Sequence, residues 1–162
     1  MKKLILSTVA TLIITASALA QTPIIKDFRT IVKDIPNQFA NLKKDLLQDN
    51  TEKNFKLYSS TIADLPISKT LITVTQTDGP VYIITFKTET MDTMMLRLFT
   101  NIAQQYMKEI NDMVATGNYK GRDYQANGEG ITELTDNNGI KVLEYISSPK
   151  EHLLLFYGAK TK

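Results

Sequence analysis

Three turn signals in the last third of the chain restrict the possible folds more than any other feature. Asn127-Gly128, Asn138-Gly139 and Ser148-Pro149-Lys150-Glu151 punctuate the stretch from Tyr119 to Ala159. Asn-Gly between extended segments is the strongest short-range hairpin signal, because a type I′ turn needs positive φ at both central residues. The stretch therefore reads as a four-stranded antiparallel meander, and counting outward from two-residue loops pairs its residues. Tyr124, Ile131, Ile146 and Leu153 form one row. The next row on the same face is Arg122, Glu133, Glu144 and Leu155, followed by Lys120, Thr135, Val142 and Tyr157. The opposite face carries Leu134, Leu143 and Phe156, with Thr132, Tyr145 and Leu154 beside them. Both faces are apolar around Leu153–Tyr157. Helices of the same chain are expected on one side, with the other free for something else to cover.

The first twenty residues read as a cleavable leader. Lys2 and Lys3 form a basic start, Leu4 to about Ala16 an apolar run, and Ala18-Leu19-Ala20 a small-residue cleavage site, with Gln21 as the expected first mature residue. The apolar run is shorter than the roughly 18 to 20 residues a spanning helix needs. Export to a periplasm or the extracellular space is the expectation, with no stable membrane span after cleavage. Removing the leader takes two of the nineteen Lys and Arg and none of the seventeen Asp and Glu. The mature chain is near neutral, so neither nucleic acid nor an anionic membrane surface is indicated as a partner. Its 142 residues suit one domain, residues 21–162, large enough to fold without disulfides or metals. The absence of cysteine excludes thiol catalysis, iron–sulfur clusters and zinc–thiolate sites.

Between Gln21 and Gln48, the residues Ile24, Phe28, Ile31, Val32, Ile35, Phe39, Leu42 and Leu46 recur at spacings of three and four, which predicts helix. Pro36 interrupts the run. The reading places a second helical segment over Ile35–Gln48, with Asp34 as its N-cap and Lys43 and Lys44 at its C-terminal end. Phe55–Ala63 reads as a strand ended by Leu65-Pro66. Ser68–Thr77 and Val81–Glu89 pair as a hairpin through Asp78-Gly79, which sets Val74 opposite Ile83 and Ile72 opposite Thr85. Leu71, Tyr82, Ile84 and Phe86 then lie on the other face. Thr90 to Thr116 predicts the longest helix, capped by Thr90 and closed at Gly117. Met91, Met95, Leu98, Phe99, Ile102, Tyr106, Ile110 and Met113 form its stripe, widened by Leu96, Met107 and Val114.

The expected fold is thus α+β, an antiparallel sheet of about seven strands in the order α-βββ-α-ββββ, with two main helices on one face. No motif identifies a family, and element order alone does not carry function. His152 is the only histidine, so a two-histidine metal site is impossible and any triad would need it as base. No nucleophile elbow, phosphate loop or dinucleotide fingerprint is present, and no cofactor or metal is implied. Two groups stand out. Tyr82, Phe86, Met95, Phe99 and Tyr106 could line an apolar ligand site, and Arg122, Glu133 and Glu144 gather as a polar cluster. The preferred reading is an exported, non-catalytic binding protein using an apolar sheet face and the Met-rich helix. Its partner would be another protein, a second copy or an apolar small molecule. The alternative is a small hydrolase using Glu133 and Glu144 or His152.

Overall fold

The computed structural model describes residues 23–75 and 79–159. The expected leader, Asp78 and the expected chain start at Gln21 lie outside those residues. The order of elements is helix α1 (residues 23–34), strands β1 (Lys43–Asn50), β2 (Phe55–Ser60), β3 (Lys69–Thr75) and β4 (Gly79–Phe86), helix α2 (Thr93–Ala115), then β5 (Tyr119–Ala126), β6 (Glu129–Asp136), β7 (Lys141–Ser147) and β8 (His152–Tyr157). All eight strands form one antiparallel sheet in the order β1-β2-β3-β4-β8-β7-β6-β5. Each half is a helix followed by a four-stranded meander, and the two meanders join through their last strands.

The extra strand is β1, where the spacing predicted helix. Helix α1 stops at residue 34, and the chain turns through 35–42 with Gln38 and Phe39 both at positive φ. Asp34 is therefore not the N-cap of a second helix. Its buried carboxylate accepts hydrogen bonds from the Asn41 amide (3.1 Å), Asn41 Nδ2 (2.6 Å) and Asn37 Nδ2 (3.1 Å), which holds the turn closed. Phe39 and Leu42 are buried as the stripe requires, but Leu46 is 51% exposed, because it lies in an edge strand instead of on a helix face. Lys43 and Lys44 open that strand.

The β3–β4 register also differs from the two-residue-loop count. Ile72 pairs with Tyr82, Leu71 with Ile83 and Val74 with Pro80, so residues 76–78 link strands whose last pair is Thr75 and Gly79. The observed partners lie three residues from the counted ones, and an odd shift moves every side chain to the other face. Ile72, and not Leu71, therefore joins Tyr82, Ile84 and Phe86 in the interior.

In the second half the pairing follows the count. Tyr124–Ile131–Ile146–Leu153 and Arg122–Glu133–Glu144–Leu155 are continuous rows. Asn127 and Gly128 both have positive φ, as a type I′ turn requires. At the second turn only Gly139 does; its amide bonds the Asp136 carbonyl at 3.0 Å, a type I turn closed by a left-handed glycine. The extra residue bulges the ladder, so Thr135 faces Lys141 and not Val142.

Both helices pack on the same face. Phe28 and Ile31 of α1 and Phe99, Ile102, Tyr106 and Ile110 of α2 share a core with Ile72, Tyr82, Ile84, Phe86, Leu134, Leu143, Leu154 and Phe156. Asp92, and not Thr90, caps α2, its carboxylate accepting from the Met95 amide at 2.8 Å, and Gly117 follows the helix end at positive φ. Arg29 of α1 ties the helices together through a two-pronged bond to the buried Glu109 of α2, at 2.8 and 2.9 Å.

Candidate binding surface

Burial along β4 alternates without exception: Pro80, Tyr82, Ile84 and Phe86 are buried, while Gly79, Val81, Ile83 and Thr85 are half-buried. β8 repeats the pattern, with Leu154 and Phe156 buried and Leu153, Leu155 and Tyr157 half-buried. Following the register outward, the second face carries Leu57, Leu71, Val81, Ile83, Leu155, Leu153, Ile146, Ile131, Tyr157 and Tyr124. None of these is buried, and among the described residues no helix packs on them. Adjacent strands shield such side chains from the sides, which is why they are half-buried and not exposed, yet their outer surfaces lack a covering layer.

The buried residues among these rows of the second face are charged. Glu133 and Glu144 stand opposite each other across β6 and β7 with relative exposures of 8% and 7%. Lys141 bridges them, its Nζ 3.0 Å from Glu133 Oε2 and 3.0 Å from Glu144 Oε1. Arg122 donates to Glu133 Oε1 at 3.0 Å. Tyr157 donates its hydroxyl to Glu144 Oε2 at 2.6 Å. The aromatic rings roof the cations, with Arg122 4.6 Å from the Tyr124 ring and Lys141 5.4 Å from the Tyr157 ring. Two carboxylates side by side repel unless a cation intervenes, and here each has one.

Burial pushes the Glu133 carboxyl up, but the hydrogen bonds and charges of Lys141 and Arg122 outweigh it and hold the group below its ordinary range. Burial likewise opposes the charge on Lys141, and the two glutamates more than restore it. Tyr157 is raised by burial and by the neighbouring Glu144 carboxylate, so the phenol stays protonated and remains a donor. An ionised Glu133 can accept hydrogen bonds or attract a cation; it cannot deliver a proton near neutral pH.

The structure thus brings Arg122, Glu133 and Glu144 together. Reasoning from sequence missed Lys141, Tyr124 and Tyr157 as members of the cluster. The two tyrosines already fell on the same face as the glutamates, which was a usable signal. Lys141 did not, because strict alternation placed Val142 there and only the bulge turns Lys141 toward the pair.

The aromatic group has a different setting. Phe86 meets Phe99 and Tyr106 at ring-centroid distances of 5.3 and 6.3 Å, and Phe28 sits 5.7 Å from Tyr106 and 5.3 Å from Phe156. Tyr82 joins through Phe156 at 6.2 Å and is hydrogen-bonded to Ser60 Oγ at 2.8 Å, with burial pushing its hydroxyl up to about 12. These four are interior residues packed ring against ring. Met95 lies apart from them, 40% exposed, on a groove of about 540 Å³ that it lines with Met91, Ile67, Leu71, Lys69 and Glu151.

His152 begins β8 on the helix side. Its Nδ1 is 2.9 Å from the Tyr145 hydroxyl and its ring centroid is 4.6 Å from that of Phe99. Burial lowers its pKa, favouring the neutral ring. It stands on the sheet face opposite Glu133 and Glu144, so the two proposed reactive groups do not share a site. Among the described residues no group of three or more His, Asp or Glu side chains is placed to hold a metal ion, and no helix is long and apolar enough to cross a membrane. Comparison with protein-family models, with curated proteins and with solved structures finds no significant match.

Proposed function

We propose that this chain is an exported, non-catalytic binding protein whose contact surface is the helix-free face of its sheet. The observation that carries the reading is the asymmetry of the sheet. Both helices cover one face, and the other presents Leu71, Val81, Ile83, Leu153, Leu155 and Ile146 without a layer of described residues over them. An apolar patch of that kind on a sheet ordinarily meets a partner. The exposed methionines and leucines at the start of α2, with Met94 at 79% and Leu98 at 42% exposure, offer a second, separate apolar surface on the helix side. Export rests on the leader: basic start, short apolar run and Ala18-Leu19-Ala20.

The state of the polar cluster favours binding over hydrolysis. Glu133 is held by Arg122 and Lys141 and is kept ionised, and Glu144 is held by Lys141 and the Tyr157 hydroxyl. Such a cluster orients a contact surface and sets its polarity.

Native mass spectrometry of the protein purified from the cells that make it tests the reading. The expected result is a mature chain starting at Gln21 that retains a small molecule or a partner, which Leu155→Asp with Ile83→Asp releases without loss of the circular-dichroism spectrum. A bare monomer unaffected by those changes contradicts it. So does a hydrolytic activity that is abolished by Glu133→Gln with Glu144→Gln while the fold persists.

A further inference from the structure

Among the described residues the sheet ends in two open edges, β1 and β5, and they differ in how they would meet a copy of themselves. Strand β1 is solvent-exposed at six of its eight positions, and Leu46 and Leu47 at its centre are 51% and 54% exposed. Large apolar side chains in the middle of an edge strand are unusual, because exposed edges recruit other strands and are normally blunted. The register with β2 shows how they are presented. Lys43 pairs with Ser60, Leu46 with Tyr58 and Asp49 with Lys56, with an irregularity on either side of Leu46. Ser60, Tyr58 and Lys56 alternate onto one face of β2, so Lys43, Leu46 and Asp49 share the helix-side face. Lys43 stands three positions before Leu46 and Asp49 three positions after it.

We infer that two copies of this chain pair antiparallel through β1 about a two-fold axis at Leu46, joining their sheets into one. A two-fold axis normal to the sheet keeps each side chain on its own face, so a residue can only oppose another of the same face. Centring on Leu46 sets the two Leu46 side chains against each other and places Lys43 of each copy opposite Asp49 of the other. Opposite charges directly across a strand pair stabilise it, and like charges do the reverse. Asp49 meets Lys56 of its own chain through Oδ2 at 3.2 Å, and a carboxylate accepts a second cation through its other oxygen. Centring on Leu47 would instead oppose Asp45 and Asp49. The irregularities twist β1 away from an arbitrary strand, but lying on both sides of Leu46 they are matched by a copy turned about that residue.

Strand β5 lacks this complementarity. Centred on Arg122 it opposes arginine to arginine, centred on Asp123 aspartate to aspartate, and centred on Gly121 it sets Lys120 against Arg122. Each choice repels. The inference rests on the edge alone and is independent of what covers the helix-free face.

The absence of native cysteine makes the test direct. Leu46→Cys and Lys120→Cys are prepared singly in the mature chain and oxidised mildly at equal concentration. Leu46→Cys is expected to form a covalent dimer at least about ten-fold faster; equal rates, or faster coupling at position 120, overturn the inference. Separately, native mass spectrometry over a concentration series reads the dimer constant of charge variants that retain the folded circular-dichroism spectrum. Lys43→Glu should weaken self-association about ten-fold, as two cross-strand pairs are lost, and adding Asp49→Lys should restore it. A single variant without effect, or a double variant that stays weak, contradicts the pairing.

Discussion

At the scale of single residues, Lys141 separates two buried carboxylates that would otherwise repel. Replacing it by methionine leaves Glu133 with Arg122 alone and Glu144 with its tyrosine donors. Breaking a buried ion pair costs about 3–5 kcal/mol, and because Lys141 is 36% exposed, solvent reduces this to about 2 kcal/mol, measurable by urea denaturation. The cluster also sets acid sensitivity. The folded Glu133 carboxyl titrates below its ordinary 4.5, so its stabilisation is complete above that value and is lost as the pH falls through the lower folded pKa. His152 titrates below its ordinary 6.5 in the folded state, so stability falls as the pH drops beneath 6.5 and the unfolded chain takes up the proton first. Stability measured from pH 7 to pH 3 should decline in both windows, with His152→Gln flattening the upper and Glu133→Gln the lower. Gly158 is a further test. A Cβ there would lie 2.7 Å from Pro80 Cγ and 3.1 Å from the Pro80 carbonyl oxygen, where the Gly158 amide bonds that same oxygen at 2.8 Å. Gly158→Ala should cost about 1–3 kcal/mol in the same assay. Of these residues, Arg122, Glu133 and Glu144 were legible from counting along the strands. Lys141 was hidden by a bulge, and Gly158 by a contact between segments far apart in sequence.

At the scale of elements, the Asn-Gly turns were readable because their chemistry is local. The second meander followed from them almost residue by residue. The first meander was less legible for two physical reasons. The strands of the first hairpin pair three residues out of the counted register, closing at Thr75 and Gly79 and not at Thr77 and Pro80, and an odd shift exchanges the two faces. The stretch after Asp34 kept a helical spacing of apolar residues, but its conformation is decided by hydrogen bonds to the Asp34 carboxylate, a tertiary arrangement that periodicity does not report. Asp34→Ala should therefore destabilise by about 2–3 kcal/mol, more than an exposed cap would, since it leaves the Asn41 amide without its acceptor. Chemical denaturation of the variant checks this, with Asp92→Ala as the cap control at about 1 kcal/mol.

At the scale of the whole molecule, two helix-plus-meander halves meet at β4 and β8, and the strands at the junction show the clearest division between covered and uncovered faces. That one face would be helix-covered and the other apolar was legible from the rows of the C-terminal meander. Whether anything covers the second face was not, because a partner leaves no periodicity in the chain it binds. Adjacent isoleucines in β4 make the division measurable: Ile84 is 4% exposed in the core, and Ile83 points to the helix-free side. Ile84→Ala should cost about 2–5 kcal/mol by cavity formation, and Ile83→Ala appreciably less in the isolated protein.

The most direct measurement of the central claim uses the same two positions as single cysteines in a chain that has none of its own. Maleimide labelling of Ile83→Cys and Ile84→Cys is compared between the purified mature protein and the intact cells that produce it. Position 84 should be protected in both, while position 83 should react readily in the purified protein and be shielded where the proposed partner is present. Equal reactivity of position 83 in both settings, or protection of both positions in the purified monomer, would contradict it.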